Sequence, residues 1–155
     1  MSMAVEDSSA MQLADRYFKS IGEPRREISA FHFCDNEKDA NQCAELVLLK
    51  EKRATASSLW CYEISGEDIP KKGDINIVTD WNGKELCIIE VEKVEIMPFN
   101  EVSRDFAETE GEGDKSLEYW RKVHWEYYQR ELSDSKYEPV EDMLIVCEYF
   151  RVIFQ

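Results

Sequence analysis

The run Lys50-Glu51-Lys52-Arg53-Ala54-Thr55-Ala56-Ser57-Ser58-Leu59-Trp60 sets ammonium groups, a guanidinium, three hydroxyls and an indole side by side. Cations of this kind grip anions, and a hydroxyl becomes a nucleophile once a neighbouring base takes its proton. An indole stacks on flat heterocycles. The same residues also read as the basic end of a helix, where the dipole favours positive charge, running into a polar strand. A second candidate is Glu90. In the segment Leu86 to Met97 strict alternation places it on one face with Leu86, Ile88, Val94 and Ile96. A carboxylate on an apolar face needs a partner or a raised pKa. A bulge that turns it to water, or an ion pair with Lys52, would equally account for it.

The elements that must position these groups follow from hydrophobic periodicity. Ser8 or Ser9 caps a helix with Ala14, Tyr17, Phe18 and Ile21 on one face, stopped by Gly22 and Pro24. Ile28 to Cys34 reads as a strand. Asp35 and Asn36 then cap a helix whose stripe is Ala40, Cys43, Ala44, Val47 and Leu48, and this helix delivers the chain to Lys50. After Trp60 an acidic loop is expected, then a turn at Pro70 to Asp74 and a strand at 75–80. Asn82-Gly83 signals a hairpin into the long strand that carries Glu90. A helix over 100–110 ends at Gly111-Glu112-Gly113-Asp114, expected as a solvated acidic turn because its spacing misses the calcium-loop pattern. Ser116 caps a long helix with Leu117, Trp120, His124 and Tyr127 in its stripe, and Met143 to Phe154 reads as a central strand, apolar on both faces. Helices interleaved with hairpin strands make the fold class α+β.

Composition narrows the function. At 155 residues the chain fits one domain, 1–155, with 1–26 as an N-terminal helical extension. The formal charge of −14 repels phosphate backbones and anionic membranes, so a polymeric nucleic acid would need a localised basic groove, around Lys50, Lys52, Arg53, Lys71 and Lys72. A small neutral ligand meets no such barrier. The five cysteines are odd in number and lack a Cys-x-x-Cys pair, and the two histidines have no partner at zinc-ligand spacing. Reduced thiols, no metal and no cofactor are therefore expected. No apolar run reaches membrane-spanning length, and a cytoplasmic location is expected.

Lys52-x-x-Thr55 after a helix, Gly73-Asp74 opening a strand, and Cys87-Ile88-Ile89-Glu90-Val91 followed by Phe99-x-Glu101-Val102 resemble an ASCH domain. The segment Phe106 to Leu117, with its Glu-Gly-Glu-Gly-Asp turn, followed by Trp120-Arg121 and His124, is similar to a longer bacterial subgroup of that family. The resemblance covers roughly Glu37 to the C-terminus. It implies a PUA-like small β-barrel flanked by helices. It also implies a pocket for a nucleoside or for single-stranded RNA, since members include amidohydrolases of N(4)-acetylcytidine and single-strand ribonucleases. Carried over position by position, the amidohydrolase residues fall on Lys52 as base, Thr55 as nucleophile and Glu90 as proton donor. The candidate substrate contacts are Arg53, Ser57, Trp60, Ser116, Trp120, Arg121 and His124. Lys50 stands where a Gly often precedes the motif, and Ser57 stands where an Arg often follows it.

Such a triad works only if Lys52 loses its proton, which the flanking cations Lys50 and Arg53 would favour. The chemistry resembles a hydroxyl–lysine hydrolase rather than a histidine triad, and it uses no metal. Alternative roles stay open at several positions. Trp60 and Trp120 can stack on a base or fill a core. His124, on an aromatic helical face, reads first as a hydrogen-bonded core histidine and second as a ligand contact. The alternative to an enzyme is an RNA-binding module.

Overall fold

The computed structural model describes residues 2–4 and 8–155, with side chains from residue 12 onward. Six strands form one sheet in the order β1-β2-β4-β5-β6-β3: β1 Ser2–Ala4, β2 Ser29–Phe33, β3 Ala54–Ser58, β4 Ile75–Thr79, β5 Glu85–Pro98 and β6 Leu144–Phe154. The β2–β4 pair is parallel and the other neighbours are antiparallel. Among the described residues there are five α-helices: α1 Ser8–Ile21, α2 Glu37–Leu48, α3 Leu59–Ser65, α4 Arg104–Glu110 and α5 Leu117–Glu131. The α+β class and the central place of β6, between β5 and β3, follow the sequence reading.

Consecutive strand residues point to opposite faces, and both faces are covered. Ile77 and Ile88 join Leu13, Ala14 and Phe18 of α1 in one small core. Their neighbours Val78, Cys87 and Ile89 belong instead to the main core with Val47 of α2, Phe106 of α4 and Trp120 and Tyr128 of α5. The expected face is buried on α2, with Ala40, Cys43, Ala44 and Val47 inside; on α1, Ala14 and Phe18 are buried but Ile21, also expected on the apolar face, is exposed in the last turn. Asn36 caps α2 by accepting from Asp39 N at 2.9 Å, and Ser116 caps α5 by accepting from Tyr119 N at 3.0 Å. The expected capping hydroxyls of α1, Ser8 and Ser9, lie outside the described side chains.

Three local expectations change. Where an acidic loop is expected to start after Trp60, Leu59–Ser65 form α3: Ser58 Oγ accepts from Cys61 N and Gly66 closes the helix in the left-handed region at φ 74°. The helix expected over 100–110 is divided into a 3-10 turn, Phe99–Glu101, and α4, because Ser103 starts a new cap by accepting from Phe106 N. The alternation of β5 also breaks. Register shifts against β6 fall between Ile88 and Ile89 and between Val91 and Lys93, and each bulge bends the strand. Up to Glu90 the alternation holds, Ile88 facing Ile77 and Glu90 facing Ile75, with Ile88 fully buried and Glu90 partly exposed at the margin of that face; beyond the shift at Glu92, Ile96 is 46% exposed.

Gly111 links α4 to the following turn at φ 71°, and a Cβ there would stand 2.2 Å from the Glu51 carbonyl oxygen. Both the dihedral and the backbone contact demand glycine. Gly111→Ala is expected to cost about 2 kcal/mol or more of unfolding free energy by urea titration; a loss below about 0.5 kcal/mol would show that the α4 turn is not packed on the Glu51 backbone as described.

Candidate functional site

The end of α2 explains how Lys52 turns inward. Lys50 takes φ 62°, a left-handed conformation open at low cost only to glycine, and the Leu46 carbonyl accepts from both Glu51 N and Lys52 N. Lys50 thus sits in a helix-terminating turn and bears its strain. The chain reverses and drives the Lys52 side chain into the protein, where it is 2% exposed.

All three ammonium protons of Lys52 are taken. Its Nζ donates to the Ala54 carbonyl at 2.8 Å, to Glu110 Oε2 at 3.1 Å and to Glu112 Oε2 at 3.0 Å, and it sits 5.3 Å from the centre of the Phe33 ring. Burial works against the charge, but the two carboxylates outweigh it and hold the Lys52 pKa above its ordinary value. The expectation of a neutral lysine, favoured by Lys50 and Arg53, is therefore corrected: acidic neighbours from the other side of the fold keep Lys52 charged.

Glu110 is 1% exposed. Its burial would raise its pKa, yet Lys52, and then His124, hold it well below the usual carboxylate range. Its Oε1 accepts from Trp120 Nε1 at 3.1 Å and lies 3.3 Å from His124 Nε2. His124 Nδ1 donates to the Trp120 carbonyl at 2.8 Å, and the two rings stack at 4.1 Å. Glu112 has a raised pKa, through burial and through the neighbouring Glu110 carboxylate, and its Oε1 accepts from Cys43 Sγ at 3.2 Å. The acidic turn expected in water is thus an internal counter-charge for Lys52. Its glutamates were hidden from a sequence reading because glycines and acidic residues normally mark an exposed loop. The legible signal was the i, i+4 pair Trp120 and His124 on α5, two ring N–H groups that need an acceptor.

The remaining sequence candidates divide as follows. Thr55 lies on β3, and its buried Oγ1 finds no hydrogen-bond partner among the described residues. It sits directly across from Glu148 of β6, whose carboxyl is pushed up to about 7 by burial. Glu90 does not pair with Lys52; it accepts from the guanidinium of Arg151, its cross-strand partner, at 3.0 Å. Ser57 is buried on β3 and hydrogen-bonds toward α3. Trp60 stacks on Tyr137 at 4.8 Å, Ser116 serves as the cap of α5, Trp120 is core and Arg121 is exposed on α5.

Next to Lys52 an open cleft of about 610 Å³ lies between the α2 terminus, Thr109 of α4 and the bulged part of β5 and β6. Five cationic residues line it, Lys50, Lys52, Arg53, Lys93 and Arg151, against one carboxylate, Glu92. Tyr149 lies under Lys93, 4.6 Å from its ammonium, and gives the wall an aromatic surface. Lys71 and Lys72 are not part of this lining; Lys71 pairs with Asp74.

Removing one partner of a buried pair strands the other charge. Lys52→Met is expected to destabilise the fold by roughly 3–5 kcal/mol in urea titrations, and Glu110→Gln added to it is expected to recover part of that loss. A cost for Lys52→Met below about 1 kcal/mol would mean that the ammonium is not the counter-charge of this turn.

A family model for the ASCH domain matches residues 29–154. The structure of an ASCH domain from Lactobacillus crispatus JV V101 is 40% identical and superposes with a TM-score of 0.89, covering 96% of each chain. A protein from Enterococcus faecalis V583 is 32% identical with a TM-score of 0.87, over 94% of this chain and 88% of that one. A hypothetical protein at 23% identity and a TM-score of 0.50, over 72% of this chain and 92% of its own, shares the fold. No curated protein matches. No helix among the described residues is long and apolar enough to cross a membrane. With the model spanning all but the N-terminal helix and its flanks, and with close superposition on a solved ASCH domain, the chain belongs to the ASCH domain family.

Proposed function

We propose that the chain binds single-stranded RNA through the cleft beside Lys52. One observation carries the reading: a protein of net charge −14 gathers five cationic residues and one carboxylate around its open cleft. Lys52, Lys93 and Arg151 are paired with carboxylates, so the attraction for an anion comes chiefly from Lys50 and Arg53, while the surrounding negative charge disfavours long duplexes. Arg53 is exposed there and placed to contact phosphates; Lys93, also exposed, pairs with Glu95 and covers the Tyr149 ring, a surface pair that a phosphate can replace. Lys52 acts from behind: fixed by two carboxylates, it holds the cleft wall rather than a phosphate.

The reading is tested by fluorescence titration of a short single-stranded RNA at several salt concentrations. Affinity is expected to fall steeply with salt, and Arg53→Glu and Lys93→Glu are each expected to weaken it roughly tenfold and to flatten the salt slope. An affinity that does not change in either variant, or no binding at low salt, would remove this assignment.

A second reading, hydrolysis of an acylated nucleoside such as N(4)-acetylcytidine, is favoured by the unpartnered Thr55 hydroxyl across from Glu148. Thr55 would attack the acyl carbon and its proton would pass to a base. The group placed to exchange a proton near neutrality is Glu148, because Lys52 is held charged and Glu90 is bound to Arg151. The breakdown of the tetrahedral adduct releases the exocyclic amine, which takes that proton back, and water then hydrolyses the acyl-threonine. Release of cytidine from N(4)-acetylcytidine, lost in Thr55→Ala, is the expected result. The absence of turnover at high protein concentration would eliminate it.

A further inference from the structure

We propose that Cys34, Cys43 and Glu112 form a site for a zinc-class divalent cation, independent of the cleft. The three residues come from different places: Cys34 just after β2, Cys43 inside α2, and Glu112 in the turn after α4. Their donor atoms, Cys34 Sγ, Cys43 Sγ and a Glu112 carboxylate oxygen, all lie within 4.8 Å of one another.

The spacing fits tetrahedral coordination. Two thiolates each about 2.3 Å from a zinc ion stand about 3.8 Å apart, and a thiolate and a carboxylate oxygen about 3.6 Å apart. The two sulfurs are 3.7 Å apart, and Cys43 Sγ is 3.2 Å from Glu112 Oε1. Cys34 is a non-glycine residue at φ 63°, a costly conformation for a residue with a side chain. A small cavity of about 50 Å³, lined by Cys34, Cys43, Glu112, Asp39 and Tyr119, adjoins the three donors and has room for water as a fourth ligand.

The charges balance locally. The ion would replace the two thiol protons, which leave to solvent, and Glu112 Oε1 would change from accepting the Cys43 thiol to binding metal. Because a divalent ion takes the place of two protons, the net charge of the cluster is unchanged, and Lys52 Nζ keeps its contacts with Glu110 and with the other Glu112 oxygen at 3.1 and 3.0 Å. Both thiols must lose their protons to bind, so binding should strengthen as pH rises. The neighbouring group of Glu110, Glu112 and His124 is a weaker choice, since the Lys52 ammonium stands between its carboxylates at 3.1 and 3.0 Å. Sequence spacing concealed the site because the two cysteines are separated by a strand end and a helix turn, and the third donor lies far along the chain.

The test is an anaerobic cobalt(II) titration of the full chain, reduced and stripped with chelator, followed by zinc(II) displacement. One equivalent of cobalt is expected to give thiolate-to-cobalt charge-transfer absorption and the intense visible bands of a tetrahedral ion, both lost on adding zinc. Cys34→Ser and Cys43→Ser should each weaken binding at least about tenfold, and Cys61→Ser should leave it unchanged. Circular dichroism checks that the variants fold. If one does not, X-ray absorption of the zinc-loaded wild type decides, with two sulfur neighbours expected. No charge-transfer band in the folded wild type, a band that persists in Cys34→Ser/Cys43→Ser, or zinc without sulfur neighbours would overturn the site.

Discussion

A buried ammonium must be neutralised, and most of this molecule's interior is arranged by that requirement. Lys52 is almost completely enclosed, yet it remains charged because Glu110 and Glu112 meet it at hydrogen-bond distance. To bring them there, α4 must end at Gly111 against the Glu51 backbone, and α5 must place Trp120 and His124 on the other side of Glu110. The strain of Lys50 at the end of α2 serves the same contact. Such an ion pair stabilises little in net terms, since desolvation offsets attraction. Its effect is on register: a shift of α4 or of the α2 terminus would leave one charge alone in the core.

The sheet provides the second constraint. The long strands β5 and β6 remain paired through two register shifts, and the bulges bend them. One consequence is that β5 changes the direction of its side chains midway. Glu90 then meets Arg151 at the margin of the cleft, while Lys93 projects over Tyr149. The cleft thus joins residues from the end of α2 with residues from two bent strands, and its positive lining contrasts with the acidic surface elsewhere.

Two chemical environments consequently lie on either side of Lys52. Outward there is an open cationic cleft with an aromatic wall. Inward, a chain of polar contacts runs from His124 and Trp120 through Glu110, Lys52 and Glu112 to Cys43 and Cys34. In a low-dielectric interior each contact depends on its neighbours being satisfied. Thr55 stands apart from this network, with a buried hydroxyl that the described structure leaves without a partner across from a readily protonated Glu148.

Local sequence determined the elements whose periodicity is regular and whose caps are chemical. The stripe of α2, the Ser116 cap of α5, the turn at Asn82-Gly83 and the apolar β6 were all legible, because spacing and capping act within one turn or one strand. The Lys52–x–x–Thr55 pair and the glycine-rich turn were also legible as a family resemblance. The partners were not. Alternation does carry Glu90 onto the Ile88 face, but its partner Arg151 comes from another strand, and α3, at seven residues, is too short to show a helical period. Glu110, Glu112 and Glu148 reach the site only through pairings between residues far apart in the chain. Whether a lysine is charged or a carboxylate carries a proton depends on burial and on which charges lie within a few ångströms. Those are properties of the folded interior, and only the tertiary structure decides them.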